Sequence, residues 1–390
     1  MRSQRPKAVI QQILSSAGVV INGDRPWDIR VSNDDFYARV LSGGAPAIGD
    51  SYVDGWWDSD RLDELVCRVF RAGAYKRFES GLRAKALIAL ARILNRQTLR
   101  RSRRVADMHY NLGNDLFRAM LGRTMAYTCA YWKGARNLDE AQEAKLDLVC
   151  RKLELRPGMT VLEYGCGWGT FARFAAANYG VKVLGINIAE EQVKFGREVC
   201  RGLPVELRVQ DYRQVEGSFD RVVSIGIMEH IGPKNHRGYM ENAARRLKDD
   251  GIAFVHTIGR NESAWRIDPW FDRNIFPNGV IPSLRQLSGA MEGLFVMEDC
   301  HNIGPNYDPT LLAWHENLSR HWPQFRQAYG ERFYRMMKYY LLSSAGAFRA
   351  RELQLFQMVM TKPGRLQPDC RVEPRSRRES ALPGSEAGAL

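Results

Sequence analysis

The stretch from Val161 to Phe171, VLEYGCGWGTF, constrains this chain more than any other. A short apolar run ends in the carboxylate Glu163, glycines follow at Gly165, Gly167 and Gly169, and a helix-like run begins. That is a strand entering a helix through a glycine-rich turn, the opening unit of a doubly wound α/β sheet, where missing side chains let a ligand approach the backbone. The spacing is G-x-G-x-G with an acid two residues ahead, not the G-x-G-x-x-G that holds a dinucleotide pyrophosphate. The second strand, Lys182 to Ile188, carries Asn187 at its ligand end, where a nicotinamide site would want a ribose-binding acid. Glu163 suits a ligand carrying an ammonium group, and S-adenosylmethionine is the common one.

Strands and helices alternate beyond this turn. Strands are expected at Thr160–Tyr164, Lys182–Ile188, Val205–Gln210, Phe219–Ile225, Ile252–Ile258, Leu294–Glu298 and Leu353–Thr361. Helices are expected at Phe171–Tyr179, Glu190–Arg201 and Asn235–Lys248. The alternation argues a parallel sheet. Residues 1–105 read as a smaller helix-rich N-terminal domain with a Trp-heavy loop at Trp56 and Trp57, and residues 106–362 as the catalytic domain. An insertion within 260–282, with Trp265, Trp270, Phe271, Ile275 and Phe276, is too apolar for a solvent loop and is expected to line a cavity. The tail 363–390, rich in Pro, Arg, Ser and Glu, is expected to be disordered.

The 390 residues, 45% of them hydrophobic, can bury a sizeable core. Seven cysteines without a C-x-x-C pair argue against a disulfide framework or a zinc ribbon, so no metal is expected and a reducing, cytoplasmic setting is. No apolar run approaches the roughly 20 residues of a membrane span. Val9, Ile10, Ile13 and Leu14 sit at the spacing of an amphipathic helix. The net charge of +13 is concentrated between Lys76 and Arg104, where ten Lys or Arg face one acid, Glu79. Within that segment Leu82, Ala86, Leu87, Leu90, Ile93 and Leu94 recur at helical spacing beside Arg83, Lys85, Arg92 and Arg96. A basic amphipathic helix reads as a membrane-surface element, as a nucleic-acid contact, or as a solvated face packed on a neighbouring domain. The continuation RRSRR, Arg100 to Arg104, favours an anionic membrane surface, where each basic residue adds about 1 kcal/mol.

Several short stretches carry chemical side chains. Tyr127–Trp132 reads YTCAYW, and Met228–Glu229–His230 is expected to close the fourth strand at the ligand edge of the sheet. His256 lies in the fifth strand and Tyr307 in a Gly/Pro turn. Each has an ordinary reading: a hydrogen-bonded core histidine, a turn-capping tyrosine, and, for Cys166, a small apolar filler. The convergence of Glu229 and His256 on one edge of adjacent strands weighs against it.

Taken together these segments resemble the bacterial cyclopropane-fatty-acyl-phospholipid synthases. The likeness runs from INGDRPWDI near residue 21 to QLFQMVMTK ending at 362. It includes YVDGWW, HYNLGNDLF, YTCAYW, LEYGCGWG, SIGIMEHIGPKN, VHTIG, DPWFDRNIFPNG, GPNYDPTL and GAFRARELQL, in order. The resemblance implies a class I S-adenosylmethionine-dependent methyltransferase sheet of Rossmann-like form. It implies addition of a methylene across a cis double bond of a phospholipid acyl chain, and peripheral attachment to the inner membrane face. A homodimer and no nucleic-acid partner are expected on the same ground. A bound bicarbonate ion would act as base, held by Cys129, Glu229, His256, Tyr307 and the backbone of Ile258. The cofactor would meet Tyr127, Thr128, Glu163, Tyr164, Gly165, Cys166, Gly167, Gly169, Asn187, Gln192, Asp211 and Tyr212. The chain departs from its relatives at Asn187, where Thr is common, and at Ser344, where many carry Cys. The second change excludes a thiolate nucleophile there, which direct methyl transfer does not need.

Two rivals remain on the sequence: a C-methyltransferase leaving a methyl branch, and a methyltransferase acting on nucleic acid. The second lacks a D/N-P-P-Y/F base-flipping motif, Asp268–Pro269–Trp270 being the nearest approach.

Overall fold

A computed structural model describes residues 4–76 and 113–373. The basic segment after Lys76, the boundary expected at 105 and the first four residues of HYNLGNDLF lie outside the described residues. In the N-terminal part a short antiparallel pair, Arg30–Val31 (β1) and Trp57–Asp58 (β2), sits among helices Gln4–Ser15, Asp35–Gly43, Ala45–Val53 and Leu62–Arg71. Ile10, Ile13 and Leu14 are buried as their spacing requires, while Val9 is 43% exposed and faces outward.

The C-terminal part contributes Thr160–Tyr164 (β3), Lys182–Asn187 (β4), Val205–Val209 (β5) and Phe219–Ile225 (β6). Leu247–Arg260 (β7), Val296–Asn302 (β8) and Leu353–Thr361 (β9) complete it. Their order is β5-β4-β3-β6-β7-β9-β8, parallel from β5 to β7, with β9 antiparallel to both its neighbours. The chain runs outward from β3 to β5, then returns to lay β6 on the other side of β3. Ligands of open α/β sheets bind at the carboxyl ends of the strands beside such a reversal. Glu163 is the last but one residue of β3, and Gly226 follows β6.

Alternation along β3 distributes its side chains between two layers. Val161 joins the core under helices Leu138–Lys152 and Thr170–Tyr179, whereas Leu162 and Tyr164 join the core under helices His236–Arg246 and Leu284–Met291. Tyr164 therefore faces away from Glu163.

Several expectations need correction. Met228, Glu229 and His230 do not close β6 but form a short helix, Met228–Ile231, just beyond it. The helix expected to reach Lys248 ends at Arg246, because β7 begins at Leu247. The strand expected at Leu294–Glu298 is shifted to Val296–Asn302. Tyr307 is not a turn residue but opens the helical stretch Tyr307–Arg349, which breaks at Gly330 (φ 74°). The tail does not leave the domain at Pro363. Cys370 is buried, Arg365 Nε donates to the Asp250 carbonyl, and Glu373 pairs with Lys133 at 3.0 Å. Residues beyond 373 lie outside the described part.

The stretch Tyr307–Arg349 joins the two halves. Gly346 crosses helix Leu62–Arg71 so closely that a Cβ would stand 2.4 Å from the Asp63 carbonyl oxygen. Arg335 donates to the carbonyls of Tyr52 and Trp57 and to Asp58, and Arg349 pairs with Asp63, Glu64 and Asp308. Trp270 of the insertion is 1% exposed, seated where Gly49 has no side chain.

Candidate active site

The glycine turn closes through the amides of Gly165 and Cys166, which both donate to the Ile186 carbonyl at 2.8 and 3.0 Å. Gly165, Gly167 and Gly169 all have positive φ (71°, 52° and 78°), the region where a side chain is strained. Their surroundings differ. A Cβ on Gly165 would strike Ile227, and one on Gly169 would press on Cys200 and Leu207, but one on Gly167 would meet nothing. Gly167 thus faces the open space, and Gly165 is needed for packing.

That space is a cavity of about 110 Å³. Tyr127, Thr128, Glu163, Gly165, Cys166, Gly167, Asn187 and Gln192 line it, as does Lys145, which the sequence reading did not single out. Asn187 Nδ2 donates to Gln192 Oε1 at 2.8 Å, and its own Oδ1 accepts from the Ile188 amide at 2.8 Å, so β4 ends in a fixed amide rather than an acid. Glu163 is 3% exposed and its Oε2 has no hydrogen-bond partner. Burial pushes its carboxyl up to about 8 against the opposing pull of Lys145 and the Ala172 amide.

Four of the expected cofactor residues do not line this cavity. Tyr164 donates to Asn242 Oδ1 at 2.5 Å on the other face of the sheet and packs edge-on to Tyr212. Tyr212 packs on Tyr239 at 4.8 Å, and Asp211 caps its short 3-10 turn by accepting from the Arg213 amide. Gly169 begins the helix behind the turn.

A second cavity, about 350 Å³, meets the first at Tyr127, Thr128 and Gly226. Glu229, His256, Ile258 and Tyr307 line it together, although 78 positions separate Glu229 from Tyr307 in the chain. The Ile258 amide donates to Glu229 Oε1, while Glu229 Oε2 and His256 Nε2 are buried without partners. Burial raises Glu229 to about 7 and drives His256 well below the usual imidazole range, so its ring is neutral. Gln357, its register partner on β9, lies 3.4 Å from His256 Nδ1. Cys129 is fully buried beside the Ala130 carbonyl rather than on the cavity wall, and burial raises its thiol far above the ordinary range. A buried thiol of that kind is not a nucleophile.

Most of the rest of the second cavity is apolar, with Arg260, Asp268 and Glu352 as charged exceptions. Phe271 and Phe276 reach it from the insertion, both edge-on to Tyr340 (centroids 6.2 and 5.6 Å), and Tyr307 stacks on Phe348 at 4.5 Å. Tyr127 donates to the Tyr340 hydroxyl at 3.1 Å. Leu14, Phe36, Val40 and Ile48 extend the wall into the N-terminal helices. Lys145, Gln357 and these N-terminal residues carry no local signal. Each looks like an ordinary helix or strand residue until the chain is folded.

A reversed parallel sheet with a glycine turn and a buried acid at its switch point, opening onto a second, apolar cavity, defines a class I S-adenosylmethionine-dependent methyltransferase. The model of the mycolic acid cyclopropane synthetase family matches residues 97–358. The cyclopropane-fatty-acyl-phospholipid synthase of Escherichia coli (strain K12) is 49% identical over 354 residues, covering 91% of this chain and 93% of that protein. The cyclopropane synthase MmaA2 of Mycobacterium tuberculosis superimposes with a TM-score of 0.63 at 29% identity, covering 67% of this chain and 98% of that one. A structure of the mycolic acid cyclopropane synthase CmaA1 with SAH and CTAB gives 0.62 at 31% identity, covering 67% and 98%. The chain belongs to the mycolic acid cyclopropane synthetase family.

Proposed function

We propose that this protein transfers a methylene group from S-adenosylmethionine to the cis double bond of an unsaturated acyl chain in a membrane phospholipid, closing a cyclopropane ring. The observation that carries this reading is the apolar cavity, which runs from the N-terminal helices to Glu229 and His256 and touches the cofactor cavity at Thr128 and Gly226. An acyl chain lying in it would bring its double bond to the junction, with the rest in contact with Phe36, Val40 and Ile48.

When bound, the cofactor supplies a methyl group on a sulfonium. The alkene would form a bond to that methyl as the carbon–sulfur bond breaks, which would leave a carbocation on the former double bond. A base removes a proton from the added methyl, and the C–H pair closes the ring. Tyr127, Tyr307, Phe276 and Tyr340 line this cavity with aromatic rings, which favour a nearby cation, and the largely apolar wall would exclude water that would trap it. The orphaned Glu229 Oε2 and His256 Nε2 fit a small hydrogen-bonding anion, as bicarbonate is. The Glu229 carboxylate would accept from its hydroxyl, and neutral His256 would donate to its oxygens. Bicarbonate would supply the base. The basic segment from Lys76 to Arg104 would hold the protein on an anionic bilayer.

Purified protein, S-adenosylmethionine and vesicles of an unsaturated anionic phospholipid test this by mass spectrometry of the acyl chains. The expected product is heavier by one CH₂ and has one ring in place of its double bond. A saturated methyl-branched chain would assign the protein to the C-methyltransferases instead. No change in any acyl chain would overturn the reading. Reversing Arg92, Arg96, Arg100 and Arg101 to Glu is expected to cut vesicle binding while leaving cofactor affinity in place.

A further inference from the structure

Lys145 is the group in the cofactor cavity that the reading above leaves without a task. It sits on helix Leu138–Lys152, is 1% exposed, and lines the cavity together with the glycine turn. Its Nζ donates to Thr128 Oγ1 at 2.9 Å. An ammonium has three donors, so that bond leaves two unused. No carboxylate among the described residues reaches ion-pairing distance of Nζ, and Glu163 in the same cavity has its Oε2 unpartnered. An amine and a carboxyl group are therefore buried in one small space without an ion pair between them. Burial presses both towards their neutral forms, Lys145 down and Glu163 up, each opposed by the other's charge. Separated buried charges of this kind are costly unless something completes them.

A ligand bearing an ammonium and a carboxylate on one carbon would complete both. The ammonium would face Glu163 Oε2 and the carboxylate the free donors of Lys145, so two desolvated charges would each gain a charge-assisted hydrogen bond. The α-amino-acid end of S-adenosylmethionine is such a zwitterion. We propose that Lys145 binds the carboxylate of the cofactor's amino-acid end, as the counterpart of Glu163 at its ammonium, and that the cavity recognises the zwitterion as a unit. Thr128 holds the lysine in place from the cavity wall shared with the acyl site, so the contact also bears on the junction of the two cavities.

Calorimetry with S-adenosylhomocysteine and with its decarboxylated analogue separates this role from a structural one. Wild type is expected to bind the decarboxylated analogue at least about tenfold more weakly, the scale of a hydrogen bond between charged groups. Lys145→Met is expected to bind both ligands at that weaker level, having lost the discrimination. Lys145→Arg keeps the charge and is expected to retain part of it. Glu163→Gln is expected to weaken both ligands while preserving their ratio. If burial of the methionine prevents folding, judged by circular dichroism, Lys145→Gln replaces it in the same comparison. Full discrimination in Lys145→Met or Lys145→Gln would overturn the proposal, because the carboxylate would then be held by Thr128 or backbone amides.

Discussion

The two cavities that meet at Thr128 differ in how each is built. The cofactor cavity is small, about 110 Å³, and its walls include a backbone turn, an amide pair, a buried lysine and a buried carboxyl group. The second cavity is larger, about 350 Å³, and mostly aromatic and aliphatic, although Arg260, Asp268 and Glu352 also line it; at its polar end Glu229 Oε2 and His256 Nε2 are buried without hydrogen-bond partners. The first is shaped to satisfy a polar ligand group by group, so each loss should show in affinity. The second gains from area and dryness, so side chains can change there with smaller effects, except at its polar end. Binding and chemistry should therefore separate on mutation.

The largest effect should come from Gly167. Valine there would put its branch into the open cofactor cavity from a backbone at φ 52°. Overpacking of about 1–3 kcal/mol corresponds to a roughly five- to 150-fold loss of S-adenosylhomocysteine affinity by calorimetry. Gly165→Val is expected to act differently, by lowering the melting temperature through its clash with Ile227. Equal affinity in Gly167→Val and wild type would break the assignment of this cavity to the cofactor.

Glu229→Gln should leave that affinity unchanged and lower turnover about tenfold or more, since a hydrogen bond to a charged group contributes roughly 1.5–3 kcal/mol. Added bicarbonate should restore part of the activity lost in bicarbonate-free buffer. A side chain would be the base if it did not, with His256 the first to test. The same substitution has a signature in stability. Burial raises the Glu229 carboxyl from 4.5 to about 7, so in the folded protein it stays protonated where the unfolded chain has already ionised. Wild type then loses stability as pH rises from 4.5 to about 7, on the order of 3 kcal/mol, and glutamine does not. The melting temperature of Glu229→Gln relative to wild type should rise across that window. A constant difference would mean that Glu229 is not held dry.

The smallest effect is expected at Val40, which is 1% exposed on the N-terminal wall of the second cavity, where the acyl chain is proposed to lie. Phenylalanine there should shorten the cavity and reduce turnover on long unsaturated chains several-fold relative to shortened ones, at unchanged cofactor affinity. An unchanged ratio would place the acyl chain elsewhere.

Local sequence determined a good deal of this protein. The glycine turn, the acid at the end of β3 and the alternation of strands and helices each depend on a few consecutive residues, because positive φ, strand period and helix period are local properties. The doubly wound sheet and the wall formed by Glu163, Gly165, Cys166 and Gly167 were legible for that reason. Element ends were less so: β7 extends back to Leu247, through a stretch with Lys248, Asp249 and Asp250, because pairing across the sheet, not the polarity of its own residues, sets where a strand begins. Tertiary structure alone decided which way each side chain faces and what stands opposite. It turned Tyr164 away from Glu163 and packed Tyr212 on Tyr239. It also set Glu229 on a helix beside the Ile258 amide. It brought Lys145 into the cofactor cavity and the N-terminal helices onto the acyl cavity, since burial and charge pairing belong to contacts between segments far apart in the chain.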